Sequence, residues 1–322
     1  MTLLPLLVLL AAPVAQDPGH DHHSHHAAPP AVPTGAHLTV DTSYSGLERL
    51  DGSRRPESAD LDRRVFDLSA MNPSYLRPLN LTPTYLQLPV STFFLPEPPE
   101  NSSERTRAEL DDLLRLQATA RSAEAVARAQ ELAGVYYRMS VKPEDPDWPR
   151  MRRNLFATGA GLGPSFGPDR LPKTADFMAK VWSDASFYIW ALKYRYNRIR
   201  PHRLEPKLEI LENANFPAYP SGHSSNSYVA ALVFAELLPQ HRDLFLANAA
   251  ELAYSREVLG VHYASDSAAG RAFGEKFLAA ISKVPSFQAD LAAARAEIEA
   301  AGVVKETVAA ARPAELPDCG EP

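Results

Sequence analysis

His262 and Asp266 stand four residues apart in the run SREVLGVHYASD, the spacing of one helical turn. A carboxylate at that spacing accepts the ring N–H of an imidazole, fixes its tautomer and leaves the other nitrogen with a lone pair for nucleophilic attack. Ser255 and Arg256 come just before them. A second group lies upstream in AYPSGHSS, where Pro220, Ser221, Gly222 and His223 read as a tight turn ahead of the apolar run Tyr228 to Phe234. Glycine lets the backbone approach a ligand closely, the N–H groups of a following helix favour an anion, and His223 beside them can give or take a proton. The third group is KYRYNRIRPHR, in which Lys193, Arg195, Arg198, Arg200 and Arg203 are interrupted by no acid. A guanidinium binds two phosphate oxygens at once and an ammonium adds compact charge, so Lys193 with Arg200 seven positions on suits a phosphoryl group. Taken singly, each group also reads as ordinary structure: a basic helix end, a capped turn with an exposed His, a helix-stabilising His–Asp pair. Their recurrence in adjacent segments is what points to phosphoryl chemistry.

These residues need rigid elements behind them, and helical periodicity supplies the expectation. Asn101, with Glu104 three positions on, is expected to cap a helix whose apolar stripe is Leu110, Leu113, Leu114 and Leu116. A second helix is expected over Ala123 to Tyr137. From Lys173 to Tyr194, Phe177, Val181, Ala185, Tyr188, Ile189 and Leu192 recur at three- and four-residue steps, one face of a long buried helix whose last turn carries Lys193. Pro201 is expected to end that helix near Arg200. Further helices are expected at Ser224 to Leu238, Arg242 to Leu259, His262 to Ser282 and Ser286 to Ala301. The prolines and short apolar stretches between Asp60 and Glu100 suggest an extended segment wrapped over a core. The class is therefore all-α with a long irregular Pro-rich N-terminal arm.

With 322 residues, 45% of them hydrophobic, the chain can bury one large core or two modest ones. A net charge of −6 argues against a general nucleic-acid binder, which needs a broad basic surface. The apolar run Leu3 to Val14 and the small residues after it fit a secretory signal over residues 1–15, with Ala12 and Ala15 as cleavage candidates and no Lys or Arg ahead of the run. Export to the periplasm or beyond is the expectation. Spanning a bilayer takes about 20 apolar residues, and no segment reaches that length without charges, so an integral membrane protein is not expected. Residues 16–59 read as a His- and Pro-rich linker that includes His20 to His26, a tract that could capture a metal or serve as a plain spacer. Residues 60–310 then form the catalytic domain and 311–322 a Pro-rich tail. Cys319 is the one cysteine, so no intrachain disulfide forms.

Lys193, six residues, Arg200-Pro201; Pro220-Ser221-Gly222-His223; Ser255-Arg256, five residues, His262, three residues, Asp266: this resembles the complete three-part signature of the type 2 phosphatidic acid phosphatase superfamily, which vanadium haloperoxidases share. YNRIRPH, AYPSGHSS and VLGVHYASD look most like the bacterial class A nonspecific acid phosphatases. The resemblance implies the helical bundle of that superfamily and a broad-specificity, vanadate-inhibited acid phosphatase that uses no metal and no cofactor. Its substrates would be small-molecule phosphate esters, hydrolysed through a phosphohistidine, with homo-oligomerisation possible. On that likeness His262 attacks phosphorus, Asp266 holds its ring, and His223 protonates the leaving alkoxide and then activates water. Lys193, Arg200 and Arg256, with the Ser221 hydroxyl and the Gly222 N–H, bind the equatorial oxygens. A vanadium haloperoxidase, or a phosphatase of lipid phosphates or diphosphates, would carry the same signature. His202 departs from the class A acid phosphatases, which carry an aromatic residue after the Arg-Pro pair.

Overall fold

The structure, a computed structural model, describes residues 37–38, 59–136, 143–144 and 146–303, all within the unit Val32–Pro322. The expected signal segment, the His20–His26 tract, most of the linker, Cys319 and the C-terminal tail lie outside the described residues. Among the described residues there are ten α-helices and no strand: α1 (Ala59–Asp62), α2 (Glu104–Thr119), α3 (Ala123–Ala133), α4 (Trp148–Asn154), α5 (Pro172–Tyr196), α6 (Pro201–Leu204), α7 (Gly222–Leu237), α8 (Arg242–Val258), α9 (Ala264–Ile281) and α10 (Pro285–Ala301). The fold is all-α.

Helix α5 begins as its sequence dictates, with Pro172 in the first turn. Two backbone N–H groups of that turn, at Lys173 and Thr174, are taken by the Glu297 carboxylate of α10 at 2.9 and 2.7 Å. Phe177, Val181, Ala185, Tyr188, Ile189 and Leu192 are all buried, as their spacing requires. The helix stops earlier than Pro201 would stop it. Asn197 adopts the left-handed conformation (φ 45°) and its N–H closes on the Lys193 carbonyl, while Pro201 opens α6 instead. Lys193 therefore ends one element, and Arg198 and Arg200 lie on the short connection between two.

Helix α7 is buried from Ser224 to Ala235, on every side, so it is the central helix of the bundle. Helix α9 lies against it at unusually short range. A Cβ on Gly270 would sit 2.6 Å from Ser224, and one on Gly274 3.0 Å from Tyr228. That contact matters because each helix delivers catalytic candidates from its first turn.

The described part of the N-terminal arm, from Arg63 to Ser103, is extended with three short 3-10 turns, as expected of a wrapping segment. It is clipped to α5: Asp184 accepts the N–H groups of Thr84, Tyr85 and Leu86 at 2.5, 2.8 and 3.0 Å. Phe93 then enters the core against Tyr188, Phe273 and Phe277. A buried aromatic of this kind contributes about 1.5–3 kcal/mol. A second apolar cluster, including Leu110, Leu113, Leu116, Tyr254, Val261 and Tyr263, packs α2 against the end of α8 and flanks His262 in the chain.

Three helix starts differ from expectation by two residues, one of them α7, which starts at Gly222 and not at Ser224 because Ser221 caps it. Ser103, not Asn101, caps α2 by accepting the Thr106 N–H, because Asn101 is engaged with the Leu61 and Arg64 carbonyls. Helix α9 starts at Ala264, not at His262. The second helix ends at Ala133 with Gly134 as its cap; Tyr137 lies outside the described residues.

Candidate active site

The site is assembled where α5 ends and α7, α8 and α9 meet. Gly260 takes φ +74°, a turn that a side chain would obstruct, since a Cβ there would lie 2.8 Å from the Glu209 carbonyl oxygen. This turn carries the chain from Arg256 on α8 to His262. Although His262 precedes α9, the contact predicted from helical spacing forms by another route. Asp266 is the third residue of α9 and folds back over its start, accepting the Tyr263 N–H at 3.1 Å and bonding His262 Nδ1 at 2.9 Å. The Asp266 carbonyl in turn accepts the Ser221 N–H at 3.0 Å, tying the start of α9 to the turn before α7.

With Nδ1–H given to Asp266, the neutral His262 ring keeps its lone pair on Nε2, which lies 3.0 Å from Arg200 Nη1. Burial pushes the His262 imidazole well below its ordinary range, and the charges of Arg200, Lys193 and Arg256 push the same way. The ring is thus held neutral.

Three cations surround it. Lys193 is 1% exposed, and its ammonium donates to the carbonyls of Pro217, Ala218 and Pro220 at 3.0, 3.1 and 2.7 Å. An ammonium has three donors, so all three are committed to the loop that leads into α7, and Lys193 acts on the site as a fixed charge. Burial, then Arg200 and Arg256, hold it well below the usual lysine range against the pull of Asp266. Arg200 is locked by the carbonyls of Phe216 and Val261 at 2.8 and 2.6 Å, with its guanidinium 4.6 Å from the Phe216 ring centroid. Burial brings it down to about 10, which leaves it charged at neutral pH. Arg256 is 1% exposed and makes an ion pair with Glu212 at 2.6 Å, while its Nε has no hydrogen-bond partner. A buried guanidinium with an unspent donor marks a place for an anion.

Ser221 caps α7, accepting the Ser224 N–H at 3.4 Å, and as an acceptor there it keeps its own O–H proton for another oxygen. Gly222 and His223 supply the first N–H groups of α7, which no intrahelical carbonyl can satisfy. A Cβ on Gly222 would meet Lys193 Cε at an ordinary 3.7 Å, so the protein itself leaves room for a side chain there. His223 Nε2 contacts the Ala133 carbonyl at 2.8 Å, at the C-terminal end of α3, and its ring stands edge-on to Tyr136. Burial and the Arg256 charge push His223 down to about 3, with Glu212 and the Ala133 carbonyl opposing.

All eight residues singled out in the sequence therefore converge. His202 does not join them; it is half-buried on α6, and burial lowers it. Three further participants were missed, and a fourth, Arg198, was named only as part of the basic run and given no role. Arg198 and Glu109 hold Asp266 from behind, Glu212 pairs with Arg256, and the Ala133 carbonyl orients His223. Glu109 was visible in principle: it lies in register with Thr106, Leu113 and Leu116 on the buried face of α2, where an acid needs a partner. Among the described residues, no group of three or more His, Cys, Asp or Glu side chains forms a metal-holding cluster.

Residues 181–289 match the family described as PAP2 superfamily. The non-specific acid phosphatase of Salmonella typhimurium is 30% identical over 146 residues, covering 42% of this chain and 57% of that protein. The acid phosphatase of Zymomonas mobilis is 37% identical over 153 residues, covering 45% and 56%. The match thus spans little more than half the length of these relatives. Among solved structures, a bacterial vanadium-dependent iodoperoxidase aligns over 76% of this chain and 62% of its own, with 20% identity and a TM-score of 0.47.

Proposed function

We propose that this chain, which carries a PAP2 superfamily domain over residues 181–289, hydrolyses phosphate monoesters through a phosphohistidine, without a metal. The observation that carries the reading is the neutral His262, oriented through Nδ1 by Asp266, with its Nε2 lone pair facing Arg200 among three buried cations. The acid phosphatases of Salmonella typhimurium and Zymomonas mobilis support the same class of reaction.

In the first step His262 Nε2 forms a bond to phosphorus as the ester P–O bond breaks, and the departing alkoxide takes a proton from His223. In the second, water attacks phosphorus and gives its proton to His223 as the P–N bond breaks and frees neutral His262; His223 then passes that proton to the departing phosphate, which leaves as the monoanion, and returns to its neutral form. Lys193, Arg200, Arg256, the Ser221 hydroxyl and the α7 N–H groups stabilise charge on the three equatorial oxygens, and fixed donors of this kind need no reorganisation during transfer. Because His223 Nε2 is committed to the Ala133 carbonyl, Nδ1 is the atom that moves the proton.

Burial, with the charges of Arg256 and Lys193, keeps His223 neutral in the free protein, so the leaving-group proton arrives with the substrate. A phosphate monoester monoanion brings both the proton and the negative charge that offsets Arg256. kcat/KM should therefore fall as pH rises through the second phosphate ionisation, near about pH 6. Export, expected from residues 1–15, belongs to the same proposal.

The test is hydrolysis of para-nitrophenyl phosphate by wild type and His262→Ala, with and without a chelator, beside a panel of lipid phosphates. Chelator-resistant turnover lost in the variant supports the reading; turnover that survives the substitution, or that the chelator abolishes, rejects it.

A further inference from the structure

Glu109, Arg198, Asp266, His262 and Arg200 stand in line across the back of the site, charges alternating about the imidazole. We propose that Arg198, braced by Glu109, is a positioning residue for the nucleophile: it pins Asp266 so that the His262 lone pair is aimed at phosphorus. This inference rests on the phosphatase reading above.

Asp266 uses its two oxygens for different tasks. Oδ2 serves His262 Nδ1 and the Tyr263 N–H, whereas Oδ1 accepts from Arg198 Nη1 at 2.7 Å. Without that second hold the carboxylate can turn about its last torsion, which is broad, and carry the imidazole with it. Arg198 is itself immobile. Its Nη1 also donates to Ser265 Oγ at 2.7 Å, its Nη2 to Glu109 Oε2 at 3.1 Å, and its guanidinium lies 3.8 Å from the Tyr263 ring centroid.

Glu109 closes the assembly. Its Oε1 accepts the Ser265 N–H at 2.7 Å and its Oε2 accepts from Ser265 Oγ at 2.9 Å, so a carboxylate from α2 satisfies a first-turn N–H of α9 beside Asp266. Arg105, one turn earlier on α2, faces Glu109 at 3.6 Å. Glu109, Arg198 and Asp266 are each at most 4% exposed, so none of these charges is shared with water. Helix α2 lies outside the stretch that matches the family, so part of the brace comes from beyond the matched domain.

Arg198 touches neither phosphate nor leaving group, so its loss should lower turnover without weakening phosphate binding. The experiment compares wild type, Arg198→Met, Arg198→Lys, Glu109→Gln and His262→Ala on para-nitrophenyl phosphate, with inorganic phosphate as competitive inhibitor. Misplacing a nucleophile by about 1 Å costs on the order of 10²-fold, and that is the expected fall in kcat for Arg198→Met. KM and the phosphate inhibition constant should stay within about threefold, because the interaction lost is felt only in the transition state. Arg198→Lys should recover part of the loss, and Glu109→Gln should show a smaller fall with the same split. The inference is overturned if both Arg198 variants turn over within about twofold of wild type, or if KM and the inhibition constant rise in step with the loss of kcat. If Arg198→Met does not fold, the other two variants decide by the same criteria. The far-downfield ring N–H proton signal that His262→Ala abolishes offers a readout independent of turnover. Its loss or shift in the Arg198 variants supports the brace even if the wild type proves inactive on phosphate esters, and an unchanged signal contradicts it.

Discussion

Asp184 and Asp266 are both 0% exposed carboxylates on long helices of the same bundle, yet they are solvated in opposite ways. Asp184 is surrounded by neutral donors, the N–H groups of Thr84, Tyr85 and Leu86, and burial still holds it above its ordinary range against their pull. Asp266 is surrounded by groups that carry or exchange charge: Arg198 on one oxygen, His262 on the other. A buried carboxylate satisfied by backbone N–H groups fixes a chain segment in place. One satisfied by an arginine and a histidine fixes a protonation state. Burial alone does not separate a structural acid from a functional one; the chemistry of its partners does.

The sharpest way to break that contrast is Asp266→Asn. The amide presents a donor where His262 needs an acceptor, and loss of the correct tautomer costs on the order of 10⁴ in kcat. The folded protein should persist, as circular dichroism would show. If Asn at 266 leaves turnover intact, the two carboxylates are alike after all. Next in size, Arg256→Ala removes a buried guanidinium that keeps an unspent Nε donor, and should lower kcat/KM by about 10²–10³. A loss below about tenfold in steady-state assays would remove Arg256 from the transition state. On the other side of the comparison, Asp184→Ala should leave the buried N–H groups of Tyr85 and Leu86 unsatisfied, free the Thr84 N–H, and cost about 3 kcal/mol in denaturant unfolding. The kcat of the molecules that remain folded should not change.

The smallest effect is one of pH. His262 and His223 are both held below their ordinary range in the folded protein. Below about pH 6.5 the unfolded chain binds protons there that the folded chain does not, so this contribution to stability is present above 6.5 and is lost as pH falls. Each group adds a slope of at most about 1.4 kcal/mol per pH unit over the window from 6.5 down to its folded value. Thermal melts from pH 7 to pH 4 should show the decline, His223→Gln should flatten it, and saturating inorganic phosphate should reduce it by offsetting the cations.

The local part of this site was legible in the sequence because local chemistry is written in adjacent residues. The pairing of His262 with Asp266, the turn at Ser221 and Gly222 and the basic run from Lys193 to Arg203 each fall within a dozen positions. The periodicity of α5 gave its buried face correctly, and the prolines of the arm gave a wrapping segment. What escaped were contacts made across long stretches of chain: Glu109 reaches Arg198 and Ser265, and Asp184 reaches Thr84. Both acids sit at helical registers among buried apolar residues, a signal of a required partner that names none. Backbone geometry at helix ends escaped for a different reason. Asn197 ends α5 by adopting a left-handed conformation open to few residues, and Asp266 reaches His262 by folding back onto the Tyr263 N–H, a contact that mimics the spacing of a helical turn.

The claim on which the rest depends is that phosphorus passes through His262. Wild-type protein turning over para-nitrophenyl phosphate, quenched in alkali and digested for mass spectrometry, should carry an acid-labile phosphoryl group on His262, absent from His262→Ala. Turnover at full rate with no label on His262, or with the label on His223 or a serine, would contradict the account.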